Sequence, residues 1–324
     1  MILAGDIGGT NTRLAVFDEN YKVIGKQWKF PTGNGNDLET QIKKVFASVK
    51  IKPPTACLAM AGPVIENVCL GTNIGRRFVA EEMRKTLNLD SVTLINDLVA
   101  NAAGVERLSK SELVTLMKGK RRTGTAALVS PGTGLGESII VWDGHFLRPL
   151  PGEGGHARFA PTSELEVELF LYLLKKLGTV TTEDVVSGRG MDNLFSFYAD
   201  RGLSVPKALQ KKLDATPPAN RGGLIAQAAV TKTSEAATEA MNLFVHLLGV
   251  EAASFALKTL AIGGVYLGGG IPPKILPLLQ GPAFKKAFLT HRTMAGLLKE
   301  IPVHVILNDD TALEGAALYG RRFG

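Results

Sequence analysis

The chain has 324 residues, with 37 Lys plus Arg against 30 Asp plus Glu and a formal charge of +7 at pH 7. At ~150 residues per domain this length predicts two domains, each large enough to bury a core. A chain that is 45% apolar and 21% charged is not disordered, a coiled coil or a disulfide-built mini-protein, and its mild basic excess fits a surface that attracts anions without pointing to nucleic acid.

Residues 2–7 form an apolar run, and 12–17 alternate after a Gly-rich turn. Residues 21–30 continue the pattern, so the chain opens as an antiparallel meander. Residues 37–49 have helical spacing (Leu38, Ile42, Val45, Val49), with Asp37 as the expected cap. Residues 55–61 and 92–95 read as buried strands with a helix at 79–89 between them. The middle repeats the opening theme: a strand at 125–129, a Gly-rich turn at 130–136 and a strand at 138–142. After Pro161 the chain turns helical, at 164–177, 182–186, 191–199 and a long stretch at 234–260. A strand at 265–267 runs into Gly268-Gly269-Gly270, and a strand at 303–307 and a helix at 311–319 finish the chain. Residues 118–122 (Lys-Gly-Lys-Arg-Arg) and 214–223 read as loops. The basic loop has no interleaved aromatics, so it reads as a solvated turn rather than a nucleic-acid site.

Cys57 and Cys69 are the only cysteines. Both sit in apolar runs, which predicts reduced core thiols in a cytosolic (cytoplasmic) protein and excludes a Cys-based zinc site. The start lacks the basic flank and apolar stretch of a signal peptide. No segment has the ~18 uninterrupted apolar residues of a membrane span; even 243–262 carries His246, Glu251 and Lys258. No membrane and no nucleic-acid partner is expected.

Three glycine clusters stand out. Gly5-Asp6-Ile7-Gly8-Gly9-Thr10-Asn11 and Gly132-Thr133-Gly134-Leu135-Gly136 each lie between two strands. Gly268-Gly269-Gly270 joins a strand to an expected helix. Glycine leaves no Cβ in the way of a phosphate and lets successive N–H groups converge on its oxygens. Thr hydroxyls add donors, and Asp6 is placed to hold Mg²⁺ through water beside those phosphates. None of the clusters is a P-loop, and the first is no dinucleotide fingerprint because a strand follows it. The third suits the nucleotide's base, ribose or phosphate.

Asn96-Asp97 ends a strand and opens a helix, a position shared by active residues and plain helix caps. In the loop from Leu150 to His156, Glu153 and His156 stand among three glycines and suit neighbouring hydroxyls of a polyol. Glu183 reads locally as a first-turn helix carboxylate.

These residues together resemble bacterial glucokinases of the hexokinase–actin superfamily. The segment 5–14 is similar to the first phosphate motif of that family, Ile95-Asn96-Asp97 to the catalytic-Asp motif, and 131–136 to the second phosphate motif. The loop 150–156 followed by Phe159-Ala160-Pro161 resembles the sugar-binding loop, 183–188 the segment supplying a further sugar carboxylate, and 265–270 the adenosine motif. The motifs run in family order from Gly5 to about Gly315.

The resemblance implies two actin-like (RNase H-like) α/β domains flanking an active-site cleft that closes on the sugar. It places the small domain at 1–107 plus 308–324 and the large one at 108–307. It implies transfer of the γ-phosphoryl of ATP, with Mg²⁺, to the 6-hydroxyl of glucose or a similar hexose. Asp97 then accepts the hydroxyl proton, Asn96, Glu153, His156, Glu183 and Asn73 hold the sugar, and Gly5, Asp6, Ile7, Gly8, Gly9, Thr10, Asn11, Thr133, Gly134, Gly268, Gly269 and Gly270 lie around ATP. A homodimer is the oligomer common in the family. Two departures matter. The segment Ile74-Gly75-Arg76-Arg77-Phe78 replaces a short loop with an aromatic, which leaves another hexose or an amino sugar as the alternative substrate. The Cys-rich zinc motif of related kinases and repressors is missing. A non-catalytic sugar or nucleotide sensor would keep the glycines without needing Asp97.

Overall fold

The computed structural model describes residues 1–33, 38–70 and 75–324. The expected cap Asp37 and the expected sugar ligand Asn73 lie outside the described residues. In chain order the elements begin with strands β1 (Ile2–Ile7), β2 (Asn11–Phe17) and β3 (Val23–Pro31), then helix α1 (Leu38–Val49) and strand β4 (Thr55–Met60). Three short strands follow, β5 (Val64–Ile65), β6 (Val68–Leu70) and β7 (Arg77–Val79), then α2 (Ala80–Leu87), β8 (Ser91–Asn96) and α3 (Asp97–Gly104). Next come β9 (Leu113–Met117), β10 (Ala126–Pro131), β11 (Leu135–Trp142) and β12 (Leu147–Gly152), and the helices α4 (Glu164–Leu177), α5 (Gly188–Asp200), α6 (Lys207–Asp214), α7 (Gly222–Val230) and α8 (Glu235–Thr259). The chain ends with β13 (Gly264–Leu267), α9 (Leu276–Leu279), α10 (Pro282–Leu289), α11 (Ala295–Glu300), β14 (Val303–Ile306) and α12 (Thr311–Arg322).

The chain divides into two compact units. The first comprises Met1–Lys110, Asp143–Pro151 and Asn308–Gly324, and the second Ser111–Trp142 and Gly152–Leu307. The sheet of the first has the order β3-β2-β1-β4-β8. Its β1 pairs antiparallel with β2 and parallel with β4, which pairs parallel with β8. The second sheet has the order β12-β11-β10-β13-β14-β9. Here β10 is antiparallel to β11 and parallel to β13, β13 is parallel to β14, and β9 is an added antiparallel edge. The same five-strand order thus occurs twice, as the repeated strand–turn–strand theme predicts.

Alternation along β1 builds a layer on each side of the first sheet. Leu3 and Ile7 face a core with Ile42 and Val45 of α1 and Met83 and Leu87 of α2. Ile2 and Ala4 face another with Val99 and Ala100 of α3 and Leu313 and Ala316 of α12. Asp6 continues this second face toward the carboxyl end of the strand. In the second unit α8 is the central helix, and its small residues Ala236, Ala237, Ala240, Ala252 and Ala256 let neighbours approach it. This 25-residue helix is long and apolar enough to cross a membrane, but 67% of its most apolar stretch is buried, as a core helix requires.

Several expectations change. The third glycine cluster does not open directly onto a helix. A hydrogen-bonded turn over 271–275 comes first, with Lys274 and Ile275 N–H donating to the Ile271 carbonyl, and helix α9 then has only four residues. Pro272, Pro273 and Pro277 lack N–H donors, which keeps a regular helix from forming there. Part of the expected loop at 150–156 is the end of β12. Pro149 and Pro151 argue against a central strand, but β12 lies at the sheet edge, where proline is tolerated. Residues 214–223 are not a plain loop: α6 runs to Asp214, a 3₁₀ turn spans Pro218–Asn220 and α7 begins at Gly222. The basic loop docks on one carboxylate, since Lys120 and Arg122 both pair with Glu300 of α11.

Candidate active site

In the first unit the parallel register aligns Ile7, Met60 and Asn96 on neighbouring strands. The turn after β1 and the Asn96-Asp97 step after β8 therefore emerge from the same carboxyl edge, two strand spacings apart, or roughly 10 Å. Gly8 N–H donates to the Asn11 carbonyl at 3.0 Å, which closes the hairpin. Thr32, just past the end of β3, braces it by donating its hydroxyl to the Gly8 carbonyl at 2.7 Å. Gly9, Thr10 and Asn11 are exposed at the tip. Gly5 and Ile7, expected beside ATP, lie buried inside β1, and a Cβ on Gly5 would sit 2.7 Å from Leu58. They shape the sheet beneath the turn.

Asp6 pairs across the sheet with Arg13, and Arg13 reaches Asp310 at 3.2 Å. Burial pushes the Asp6 carboxyl above its usual range; Arg13 works against that shift and Asp310 with it. A largely buried carboxylate so incompletely compensated fits a cation beside it. Among the described residues no group of three or more His, Cys, Asp and Glu could cage a metal. A cation at Asp6 must then take its other ligands from phosphate and water, which is how Mg²⁺ is usually held.

Asn96, not Asp97, is the N-cap of α3: its Oδ1 accepts from Leu98 N–H at 2.8 Å, and its Nδ2 donates to the Gly62 carbonyl at 3.0 Å. Asp97 is the first helical residue and its Oδ1 also accepts from Leu98 N–H, at 2.9 Å. The capping role therefore falls to its neighbour, and Asp97 is held where the positive end of the helix dipole stabilises an anion. Of the unusual segment after Asn73, Arg76 forks onto Glu39 of α1 at 2.8 and 3.2 Å and stacks over the buried Phe78. Both side chains belong to the scaffold.

In the second unit the two remaining glycine turns meet. Gly268 N–H donates to the Val129 carbonyl at 2.9 Å, and a Cβ on Gly269 would sit 2.6 Å from the Pro131 carbonyl oxygen. Gly269 also takes a φ of +77°, so this contact is open only to glycine. Thr133 and Gly270 are exposed. Glu183 is tied to the same place. It is 7% exposed, its Oε2 accepts from Leu135 N–H at 2.9 Å, and its Oε1 pairs with Arg189. A Cβ on Gly134 would overlap its carboxylate. Glu183 is therefore more than a first-turn helix residue: it holds the second glycine turn. Arg189, which sequence reasoning missed, faces it six residues on.

Glu153 and His156 are 68% and 62% exposed, with His156 Nε2 3.9 Å from Glu153 Oε2. The glycines around them are explained by β11 beneath. A Cβ on Gly155 would overlap the Leu135 carbonyl oxygen, one on Gly154 the Glu137 carboxyl, and one on Gly152 would lie 3.1 Å from the Glu137 carbonyl oxygen. The segment lies flat on the strand with Glu153 and His156 projecting to solvent.

Glu183 can be tested directly. Glu183→Ala leaves the buried Leu135 N–H without an acceptor, a loss of about 1–3 kcal/mol. Glu183→Gln keeps an acceptor and loses only the ion pair, worth about 1 kcal/mol or less because Arg189 is 55% exposed. Thermal melts should show the larger drop for Glu183→Ala, and steady-state kinetics read whether the residue also serves a substrate. Unchanged kinetic constants in Glu183→Gln would confine the residue to the scaffold.

Two sheets of the same α/β order, glycine turns at strand ends and an acidic residue at a helix start define an actin-like phosphotransferase. The comparisons carry this further. The family model described as Glucokinase matches residues 3–323. The glucokinase of Trichormus variabilis is 37% identical, covering 99% of both chains, and that of Sinorhizobium medicae is 32% identical, covering 99% of this chain and 92% of its own. The crystal structure of glucokinase from an Antarctic psychrotroph superposes with a TM-score of 0.84 at 29% identity, covering 99% of this chain and 98% of that one. This chain belongs to the glucokinase family, and it is an ATP-dependent kinase of the hexokinase type.

Proposed function

We propose that the protein transfers the γ-phosphoryl of ATP to the 6-hydroxyl of glucose, giving glucose 6-phosphate. The observation that carries the reading is the shared carboxyl edge of β1 and β8. It puts a phosphate-type glycine turn and the Asn96-Asp97 step about 10 Å apart, the span of two strands. Asp97 accepts the proton of the attacking hydroxyl. Asn96 has one amide hydrogen beyond its bond to Gly62 and can turn it to the sugar. Glu153, His156 and Glu183 take the other hydroxyls, and a hydroxyl missing from an analogue leaves one of these acceptors unpaired, which penalises the wrong sugar. The N–H groups of the exposed residues Gly9 and Thr10, with Thr133 and Gly134, surround the phosphates, and Gly268, Gly269 and Gly270 the adenosine. Mg²⁺, held through water by Asp6, neutralises phosphate charge. A loose transition state leaves positioning and charge neutralisation as the main contributions.

The glucokinase of Balamuthia mandrillaris was crystallised with glucose, and a glucokinase from Streptomyces griseus with glucose and AMPPNP. At 22% and 21% identity these share the fold. A coupled phosphotransfer assay with Mg-ATP against glucose, mannose, fructose, N-acetylglucosamine, N-acetylmannosamine and no sugar tests the reading. Selective turnover of glucose is expected. Selective turnover of an amino sugar instead would overturn the substrate, and no turnover with any sugar despite ATP binding would overturn the kinase reading in favour of a sensor.

A further inference from the structure

Glu137 sits in β11, ahead of Ser138 and the apolar run Ile139-Ile140-Val141, and is 1% exposed. The kinase mechanism gives it no part. Its carboxyl lies directly beneath Gly154, so closely that a Cβ there would overlap it. It also meets the Glu251 carboxyl of α8, close enough to share a hydrogen bond, and Lys258 Nζ is 3.8 Å from Glu251 Oε1. Among the described residues, none donates a hydrogen bond to Glu137 Oε1.

We propose that Glu137 is a positioning residue for sugar binding: its carboxyl group, set against Gly154 and hydrogen-bonded to the Glu251 carboxyl, holds the segment that carries Glu153 and His156 at its working height. This rests on the glucose-binding reading of that segment. An ionised carboxylate with a donorless buried oxygen would be strongly disfavoured, so the group at this position is the neutral acid, donating to Glu251, whose charge Lys258 balances. Burial, reinforced by the Glu251 charge, raises Glu137 from 4.5 to about 8. A carboxyl raised in the folded state contributes stability that is fully present below its ordinary value and is lost as pH rises through the raised one. Above pH 8 two carboxylates face each other under Gly154, and the segment lifts. The groups facing Glu137 are Glu251 and Lys258 from α8, with Glu153 and His156 the titratable residues of the segment above it.

The test compares wild type with Glu137→Gln and Glu137→Ala from pH 7 to 9.5. In wild type the glucose KM should rise about tenfold across that range, equivalent to about 1.4 kcal/mol, while kcat at saturating glucose stays level. Glu137→Gln, a neutral donor of the same shape, should keep the low KM at every pH. Glu137→Ala should show the high KM throughout; if it does not fold, Glu137→Gln decides alone. Every other pH-dependent contribution outside this pair is common to both proteins, so the comparison isolates Glu137. Superimposable profiles for wild type and Glu137→Gln would overturn the inference. If wild type does not phosphorylate glucose, the underlying reading has failed, and hydrogen exchange of residues 150–158 still judges Glu137. After correction for intrinsic rates, protection should fall above pH 8 in wild type alone, and equal protection in Glu137→Gln would sink the proposal.

Discussion

Replacing Asp97 by Asn is expected to lower kcat by roughly 10²–10⁴-fold, the usual worth of a positioned general base, with the melting temperature and the glucose dissociation constant nearly unchanged. Asn keeps the size of Asp and an oxygen that can accept from Leu98 N–H, as Asp97 Oδ1 does at 2.9 Å. The cap of α3 is on Asn96 and is untouched. What is lost is a carboxylate able to take a proton. A carboxylate is a weak base, and a weak base suffices because the hydroxyl proton leaves late in a loose transition state. The neighbouring substitution should behave differently. Asn96→Ala removes the cap, costing about 0.5–2 kcal/mol, and it should lower the melting temperature and raise the sugar KM together. Single-turnover kinetics with calorimetric glucose binding separate the two. An Asp97→Asn enzyme retaining more than a tenth of wild-type kcat would remove the base assignment.

Much of this was legible in the sequence, for physical reasons. The strands β1, β2, β4 and β8 are short apolar runs punctuated by glycine, α4 shows helical spacing over whole turns, and α8 is an apolar run too long for a strand. The glycine turns were visible because glycine was placed together with Thr and Asp at strand ends. Other parts depend on contacts distant in sequence. Strands β5, β6 and β7 have two or three residues each and no period to read. Gly5 looks like a phosphate glycine until Leu58 and Leu14 are seen against it. The segment 74–78 reads only as a departure from the family's loop, and nothing local shows that Arg76 pairs with Glu39 on a separate helix. Glu137 did leave a trace, an acid inside an apolar strand. Such an acid signals either solvent exposure or a buried partner, and only Glu251, more than a hundred residues on, decides which.

The second large effect is expected at Gly315, far from any proposed ligand. Gly315 lies in α12 where that helix crosses α3, and a Cβ there would overlap the Ala100 carbonyl oxygen and sit 2.5 Å from Gly104 N. Those are backbone atoms, which cannot swing aside as a side-chain end can. Gly104 makes the reciprocal approach, since a Cβ on it would overlap the Thr311 carbonyl oxygen. Helix propensity alone favours Gly315→Ala by up to about 1 kcal/mol. Overpacking opposes it by typically about 1–3 kcal/mol, and with backbone on the other side the clash wins. Gly315→Val, bulkier and β-branched, should leave little folded protein against a total stability of about 5–15 kcal/mol. Gly223, exposed near the start of α7 with open space around its Cβ position, is the control. Gly223→Ala should hold or raise the melting temperature, whereas Gly315→Ala lowers it, at about 2–4 °C per kcal/mol. The loss should also reach catalysis. Asp97 begins the helix that Gly315 touches at Ala100, so pushing α3 off α12 moves the base relative to the β1 turn. The expected signature of Gly315→Ala is a lower melting temperature and a lower kcat together, read by calorimetry and by turnover well below the melt. A Gly315→Ala protein as stable and as active as wild type would show that the crossing relaxes freely and that α12 does not position Asp97.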